Sequence, residues 1–298
     1  MRKRSLHAWT LRLLVAAVAW VALEPGVGAS NGPLIFAKVP SDGAGDKLAT
    51  RYGNLTRALG EALGREVVFQ SRPSYDRMGE AMRRGEFDIV SVGPALYVQH
   101  EARYEPVVRP VRFKRSSYRG LLLVRAESRF KTLKDLSGAR VGFVSERSTS
   151  GYLLPALMLE RAGLDLKRDF ADVRFYKGRH PDVAVAVTSG EVDAGAVYDD
   201  ARIDAFGQDA KMRAETRVLA ATERIPNDPI VVHKRLPASV RAAIQQFFEG
   251  LSARPADEVA RLVGPLDEQV QGWVRTTSAD YDPVRAWASA LERAERGN

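Results

Sequence analysis

The 298-residue chain contains no cysteine. That excludes a disulfide framework, a thiolate metal site and attachment through a lipid-modified cysteine. Histidine is almost as scarce, four in all, and none has the His-Glu-x-x-His spacing of a helical zinc site. A hydrophobic run long enough to span a bilayer is also missing. The longest, Leu13 to Leu23, is about half of the roughly 20 residues a transmembrane helix needs. There is no long block of one charge and no basic stripe interleaved with stacking aromatics, which argues against nucleic acid as a partner.

What is present begins with "MRKRSLHAWTLRLLVAAVAWVALEPGVGAS", a cationic start, a short apolar run and small residues Val27, Gly28 and Ala29. This pattern predicts an export signal over residues 1–29, and hence a periplasmic protein that does not span the membrane once the signal is removed. The whole chain has 45 basic and 37 acidic residues, a net of +8. With four basic and one acidic residue in the signal, the remainder carries 41 against 36, about +5. Such a balance favours anionic ligands weakly. The stretch "VRPVRFKRSSYR" reads as a solvated surface segment.

Short β-branched runs alternate with helical patterns, so the expected fold class is α/β with mixed, mostly parallel sheets flanked by helices. Strands are predicted at "LIFAKV", "REVVFQS", "FDIVSVG", "GLLLVRA", "ARVGFVS", "DVRFYKG", "VDAGAVY" and "DPIVVHK", and after Asp228 the character turns helical, with "PASVRAAIQQFFEGL", "PADEVARLV" and "DPVRAWASALERAE" all reading as helices. Two segments echo each other, "MGEAMRRGEFDIVSVGPALY" and "DVAVAVTSGEVDAGAVYDDA". Each runs helix, Gly-Glu, apolar residue, Asp, buried strand. The echo suggests two similar lobes, with residues 30–119 and 229–298 in lobe one and 120–228 in lobe two, and crossings near Tyr118 and near Pro226 to Asp228.

The segment "SERSTSGYLLPALMLE" places Ser148, Thr149 and Ser150 at a helix start. Free backbone N–H groups and the helix dipole make such an end an anion site. Gly151 would let a ligand approach the backbone closely. Ser and Thr are also the ordinary residues of an N-cap. His180, after a strand and before a helix with Pro181 in its first turn, would donate to the same anion or serve as a loop histidine. Arg147 would strengthen the anion's attraction or face solvent. Asp199 and Asp200 lie past a strand end, and Asp228 precedes Pro229. All three also fit capping or turn roles.

Taken together, "STSGYLLP", "GRHPDVAVAV", "GEVDAGAVYDD", "PNDPIVVHK" and "PSYDRMGEAMRRGEFDI" resemble the phosphate/phosphite/phosphonate ABC-transporter substrate-binding proteins, the PhnD-like family. The resemblance implies a two-lobed type II periplasmic-binding-protein fold with ligand in the interlobe cleft. It implies that Ser148, Thr149, Ser150 and His180 hold the phosphorus oxygens, with Tyr75 and Tyr118 completing the pocket and Asp200 and Asp228 facing a ligand ammonium. Asp200 stands where the family has the longer Glu. The partners implied are a phosphonate, phosphite or phosphate ligand and an ABC permease with its ATPase. No cofactor or metal is implied. A sensing protein of the same fold that signals to a membrane kinase would have the same cleft. Enzyme signatures are weak: "SRFK" has Ser-x-x-Lys spacing without the partner motifs of penicillin-interacting serine enzymes.

Overall fold

The computed structural model describes residues 32–39, 48–199, 201–207, 209–263 and 270–297. The expected signal segment and Asp200 lie outside the described residues. Gly32–Asn298 forms one compact unit built on two sheets.

The first sheet comprises β1 (Leu34–Lys38), β2 (Val67–Ser71), β3 (Ile89–Ser91), β4 (Tyr104–Arg112), β10 (Ile230–His233) and β11 (Val270–Arg275), in the order β11-β4-β10-β3-β1-β2. The second comprises β5 (Ser117–Arg125), β6 (Arg140–Phe143), β7 (Asp172–Phe175), β8 (Ala194–Tyr198) and β9 (Thr216–Pro226), in the order β7-β6-β8-β5-β9. The chain leaves the first sheet after Arg112 and enters the second at Ser117. It returns between Pro226 and Ile230.

Side chains alternate across each strand, and both faces are covered. Phe36 and Ile89 join one core with Leu55, Leu59, Ile244, Phe248 and Trp273. Their neighbours Ala37 and Val90 join another with Met78, Met82 and Leu96. In β5, Leu122 and Val124 face one side and Leu121 and Leu123 the other. This two-sided burial is why "GLLLV" is continuously apolar. The covering helices are α1 (Leu48–Leu63), α2 (Tyr75–Arg84), α3 (Pro94–His100), α4 (Leu154–Arg161), α5 (His180–Ser189), α8 (Ala238–Leu251), α9 (Ala256–Val263) and α10 (Asp282–Gly297), with short helices α6 (Ala201–Phe206) and α7 (Ala210–Ala214). Val284, Trp287 and Leu291 of α10 share a core with Tyr97 of α3 and Leu154 and Leu157 of α4. The last helix therefore packs on both halves.

The internal echo has a physical basis. Gly85 (φ 72°) and Gly190 (φ 77°) end α2 and α5 in the left-handed conformation, which glycine adopts without penalty. Three residues later, Asp88 and Asp193 do the same work in each half. Asp88 Oδ2 accepts from the Ile35 N–H at 2.8 Å, and Asp193 Oδ2 from the Arg140 N–H at 2.9 Å. Each acid thus satisfies the first amide region of a parallel strand, and each pairs with an arginine: Asp88 with Arg235 at 2.8 Å and Asp193 with Arg140 at 2.9 Å.

Three expectations are corrected. The sheets are mixed, but four pairings are parallel and five antiparallel, because β4, β5, β9 and β10 cross between halves and return. The "VRPVRFKRSSYR" segment is solvated at its turn, Phe113 to Arg115, and at Arg119, but it is not simply a surface stretch. It is the end of β4, a tight turn and the start of β5. The region after β10 is not wholly helical, since β11 pairs with β4.

Replacing Asp88 by Ala leaves the Ile35 amide and the Arg235 guanidinium without their acceptor. Urea unfolding should show a loss of about 1–3 kcal/mol with an unchanged m-value. A loss below about 0.5 kcal/mol would contradict the role given to this acid.

Candidate functional site

Strand β6 delivers the chain to Ser145, and the helix that follows opens with a π-helical turn, Thr149–Leu153, in which the Leu153 N–H donates to the Ser148 carbonyl at 2.9 Å. Such widened turns leave amides and side chains displayed differently from an α-helix. Ser148 is the N-cap, its Oγ accepting from the Gly151 N–H at 3.1 Å. Capping uses a lone pair, so the Ser148 hydroxyl proton remains free to be donated. Thr149 Oγ1 accepts from the Ala95 N–H at 2.8 Å. Ala95 lies in the first turn of α3, whose N-cap Gly93 has no capping side chain. A hydroxyl of one half therefore satisfies a helix-start amide of the other. Gly151 is required for packing rather than for ligand approach: a Cβ there would lie 2.5 Å from Val144 Cγ2.

His180 opens α5 and is 3% exposed. Its Nδ1 accepts from the Tyr198 N–H at 3.2 Å, and desolvation lowers its pKa from 6.5 to about 3. The ring is therefore neutral with its proton on Nε2, a fixed uncharged donor. Tyr118 lies beside the Ser150 hydroxyl. Burial first, and the neighbouring Asp228 second, push its phenol well above the usual range, so it too remains a donor. Tyr75, the first residue of α2, packs its ring on Gly178 of the other half, where a Cβ would come within 2.7 Å of the ring.

Ser148, Thr149, Ser150, His180, Tyr75, Tyr118 and Asp228 all line one cavity of about 690 Å³. Asn227 holds the crossing in place. Its Nδ2 donates to the Pro110 and Arg115 carbonyls at 2.8 and 3.2 Å, and its carbonyl accepts from the Tyr281 hydroxyl at 3.0 Å. Asp228 follows directly. The cavity also takes in residues that sequence reasoning missed or gave another role: Lys38, Arg112 and Arg115 from the first half and the crossing, and Asp199 and Asp204 from the second. The signal for Arg112 and Arg115 was the charged run itself, misread because a hairpin at a domain crossing has no apolar alternation. Arg147 neither faces solvent alone nor reaches into the cavity. Its Nε lies 2.7 Å from Asp76 Oδ1 and its Nη1 2.7 Å from Gln99 Oε1, joining the second half to α2 and α3.

Among the described residues, the cavity wall thus carries a cluster of neutral donors, Ser148, Thr149, Ser150, His180 and Tyr118, with Tyr75 from the other half, alongside Lys38, Arg112 and Arg115 and the acids Asp199, Asp204 and Asp228. It can hold a compact oxyanion by directed hydrogen bonds. Over residues 38–281 the chain matches the family model described as ABC transporter, phosphonate, periplasmic substrate-binding protein. The chain belongs to this family. It is 28% identical over 273 residues, 85% of this chain and 84% of the relative, to the phosphate-import protein PhnD of Mycolicibacterium smegmatis. Among solved structures it superimposes on a binding-protein component of an ABC phosphonate transporter from Pseudomonas aeruginosa, with a TM-score of 0.77 at 20% identity, covering 89% of this chain and 88% of the other. It also superimposes on Prochlorococcus marinus PhnD1 in complex with methylphosphonate, with a TM-score of 0.76 at 20% identity, covering 89% and 100%. This family member has the expected two-lobed type II periplasmic-binding-protein fold. Among the described residues, no helix is long and apolar enough to cross a membrane.

The neutrality of His180 has a measurable consequence. Its folded pKa lies below its ordinary value, so between about pH 6.5 and 3 the unfolded chain takes up a proton that the native ring refuses. Stability is full above that window and falls with decreasing pH at up to about 1.4 kcal/mol per unit. Burial lowers His100, to about 4, and His233 in the same sense. His180→Gln should flatten the stability-against-pH curve between pH 6 and 4 in chemical denaturation. An unchanged slope would show that His180 is charged in the native protein.

Proposed function

We propose that the protein is the periplasmic solute-binding component of an ABC importer. On this reading it captures a phosphonate-, phosphite- or phosphate-type oxyanion, best an alkyl- or aminoalkylphosphonate, and delivers it to the membrane permease and its ATPase. Residues 30–119 with 229–298 and residues 120–228 act as the two lobes that close on the ligand. Binding is noncovalent and the protein performs no chemistry on its cargo. Family membership supports the transport role. The observation that carries the ligand class is the cluster of uncharged donors, Ser148, Thr149, Ser150, Tyr118 and the buried Nε2–H of His180, in one cavity with Asp228.

Electrostatics narrows the cargo. A fully ionised dianion at Tyr118 would meet the like charge of Asp228 and Asp199, offset in the same cavity by Lys38, Arg112 and Arg115. A ligand with a P–OH proton can donate it to a carboxylate, and one with an ammonium group can pair with it. Sulfate, which has no proton to give at neutral pH, fails both tests. Asp200, as the second acid facing an ammonium, belongs to the same proposal.

Calorimetric titration of ligand-stripped protein with 2-aminoethylphosphonate, methylphosphonate, phosphite, phosphate and sulfate tests the assignment. At least one phosphorus ligand should bind and sulfate should not. The double change Ser148→Ala with Thr149→Ala should weaken binding at least a hundredfold, from two lost hydrogen bonds to a charged group at about 1.5–3 kcal/mol each, with the circular dichroism spectrum retained. Unchanged affinity would remove these hydroxyls from the site. Asp228→Asn should weaken 2-aminoethylphosphonate more than methylphosphonate.

A further inference from the structure

The cavity is larger than its oxyanion end requires. About 690 Å³ lies within the range that encloses drug-sized molecules, yet the uncharged donors supply only part of the lining. The remaining wall includes Phe113, Ile203, Ile230, Val270 and Trp273. Two of these are exposed large apolar side chains, Phe113 at 50% and Ile203 at 41%, the first on the crossing between the sheets and the second on α6 of the second half.

Phe113 has no folding reason to be there. It and Lys114 are the two central residues of the turn that links β4 to β5, and both are left-handed, at φ 48° and 59°. Turns of this kind are ordinarily built from Asn and Gly, and a bulky aromatic residue at positive φ is an outlier. The turn is held by reciprocal hydrogen bonds between Arg112 and Arg115, each 2.8 Å, and by the Lys114 N–H donating to Gln271 Oε1 at 2.7 Å. Strain is thus retained to keep an apolar ring against the cavity and half in water. Neither the strain nor the exposure helps the chain fold.

We infer that the cavity takes a monosubstituted organophosphonate or phosphate monoester with an extended apolar substituent, whose tail packs against Phe113 and Ile203 while its phosphorus oxygens meet the hydroxyl end. The inference rests on the proposed oxyanion site and adds a tail subsite to it. A bound alkyl chain would cover the two exposed side chains from opposite halves of the molecule, so that tail burial and lobe contact reinforce each other. A compact ligand would leave both in water.

Titration with methyl-, propyl- and pentylphosphonate tests this directly. Affinity should rise about three- to fourfold for each methylene buried, making pentylphosphonate on the order of a hundredfold tighter than methylphosphonate. Phe113→Asn keeps a residue that tolerates the left-handed backbone, and it should lower the pentyl-to-methyl affinity ratio at least tenfold. Ile203→Ala should lower the ratio in the same direction. Equal affinities along the series, or a ratio untouched by Phe113→Asn, would overturn the tail subsite while leaving the oxyanion site standing. No binding by any member, methylphosphonate included, would contradict the phosphorus reading and this inference together.

Discussion

The hydrogen bond from the Ala95 amide to Thr149 Oγ1, at 2.8 Å, joins the starts of two helices in different halves of the molecule. Both groups are buried, so parting the halves without water entering would leave a backbone donor unsatisfied, at a cost of about 1–3 kcal/mol. Other contacts across the same boundary are weaker or less specific. The Arg147–Asp76 pair, with Asp76 largely exposed, is of a kind that contributes at most about 1 kcal/mol. The Tyr75 ring on Gly178 contributes shape rather than direction. Thr149 therefore belongs at once to the cavity lining and to the boundary between the halves.

Charge is arranged with the same economy. Lys38, Arg112 and Arg115 line the cavity and attract anions of any kind. Neutral hydroxyls and a neutral imidazole add directed donors to the same wall, and Asp228 lies near enough to raise the Tyr118 phenol. Burial enforces the protonation states: it keeps the His180 ring uncharged and the Tyr118 phenol protonated. The same burial makes these groups costly to satisfy poorly. The basic residues on the cavity wall, Lys38, Arg112 and Arg115, share the described lining with as many acids, Asp199, Asp204 and Asp228.

Much of this was legible in the sequence where local chemistry and fold agree. The Gly-Glu-x-Asp echo marked two equivalent helix-to-strand junctions, and the serine-rich stretch marked a helix start because caps are local. The capping and ligand readings of Ser148 proved compatible, since a capping hydroxyl still has its proton to donate. What the sequence hid was set by distant partners. Strand β11 needed β4 to be a strand at all, and β4 with its hairpin was concealed by a run of arginines and a lysine that breaks any apolar alternation. Gly151 looked like a ligand-approach glycine until Val144 was found against it. Arg147 looked like a ligand-steering charge because nothing nearby in sequence announces Asp76 and Gln99.

On the proposed reading, the neutral His180 ring and the hydroxyls of Ser148, Thr149 and Ser150 donate to the ligand. Nitrogen-15 NMR of histidine-labelled protein at pH 7, with and without methylphosphonate, reads it most directly. The account predicts that His180 keeps its proton on Nε2 and none on Nδ1 in both states, and that the Nε2–H resonance moves downfield on binding. A doubly protonated ring, or an Nε2–H signal indifferent to a ligand shown to bind, would contradict it.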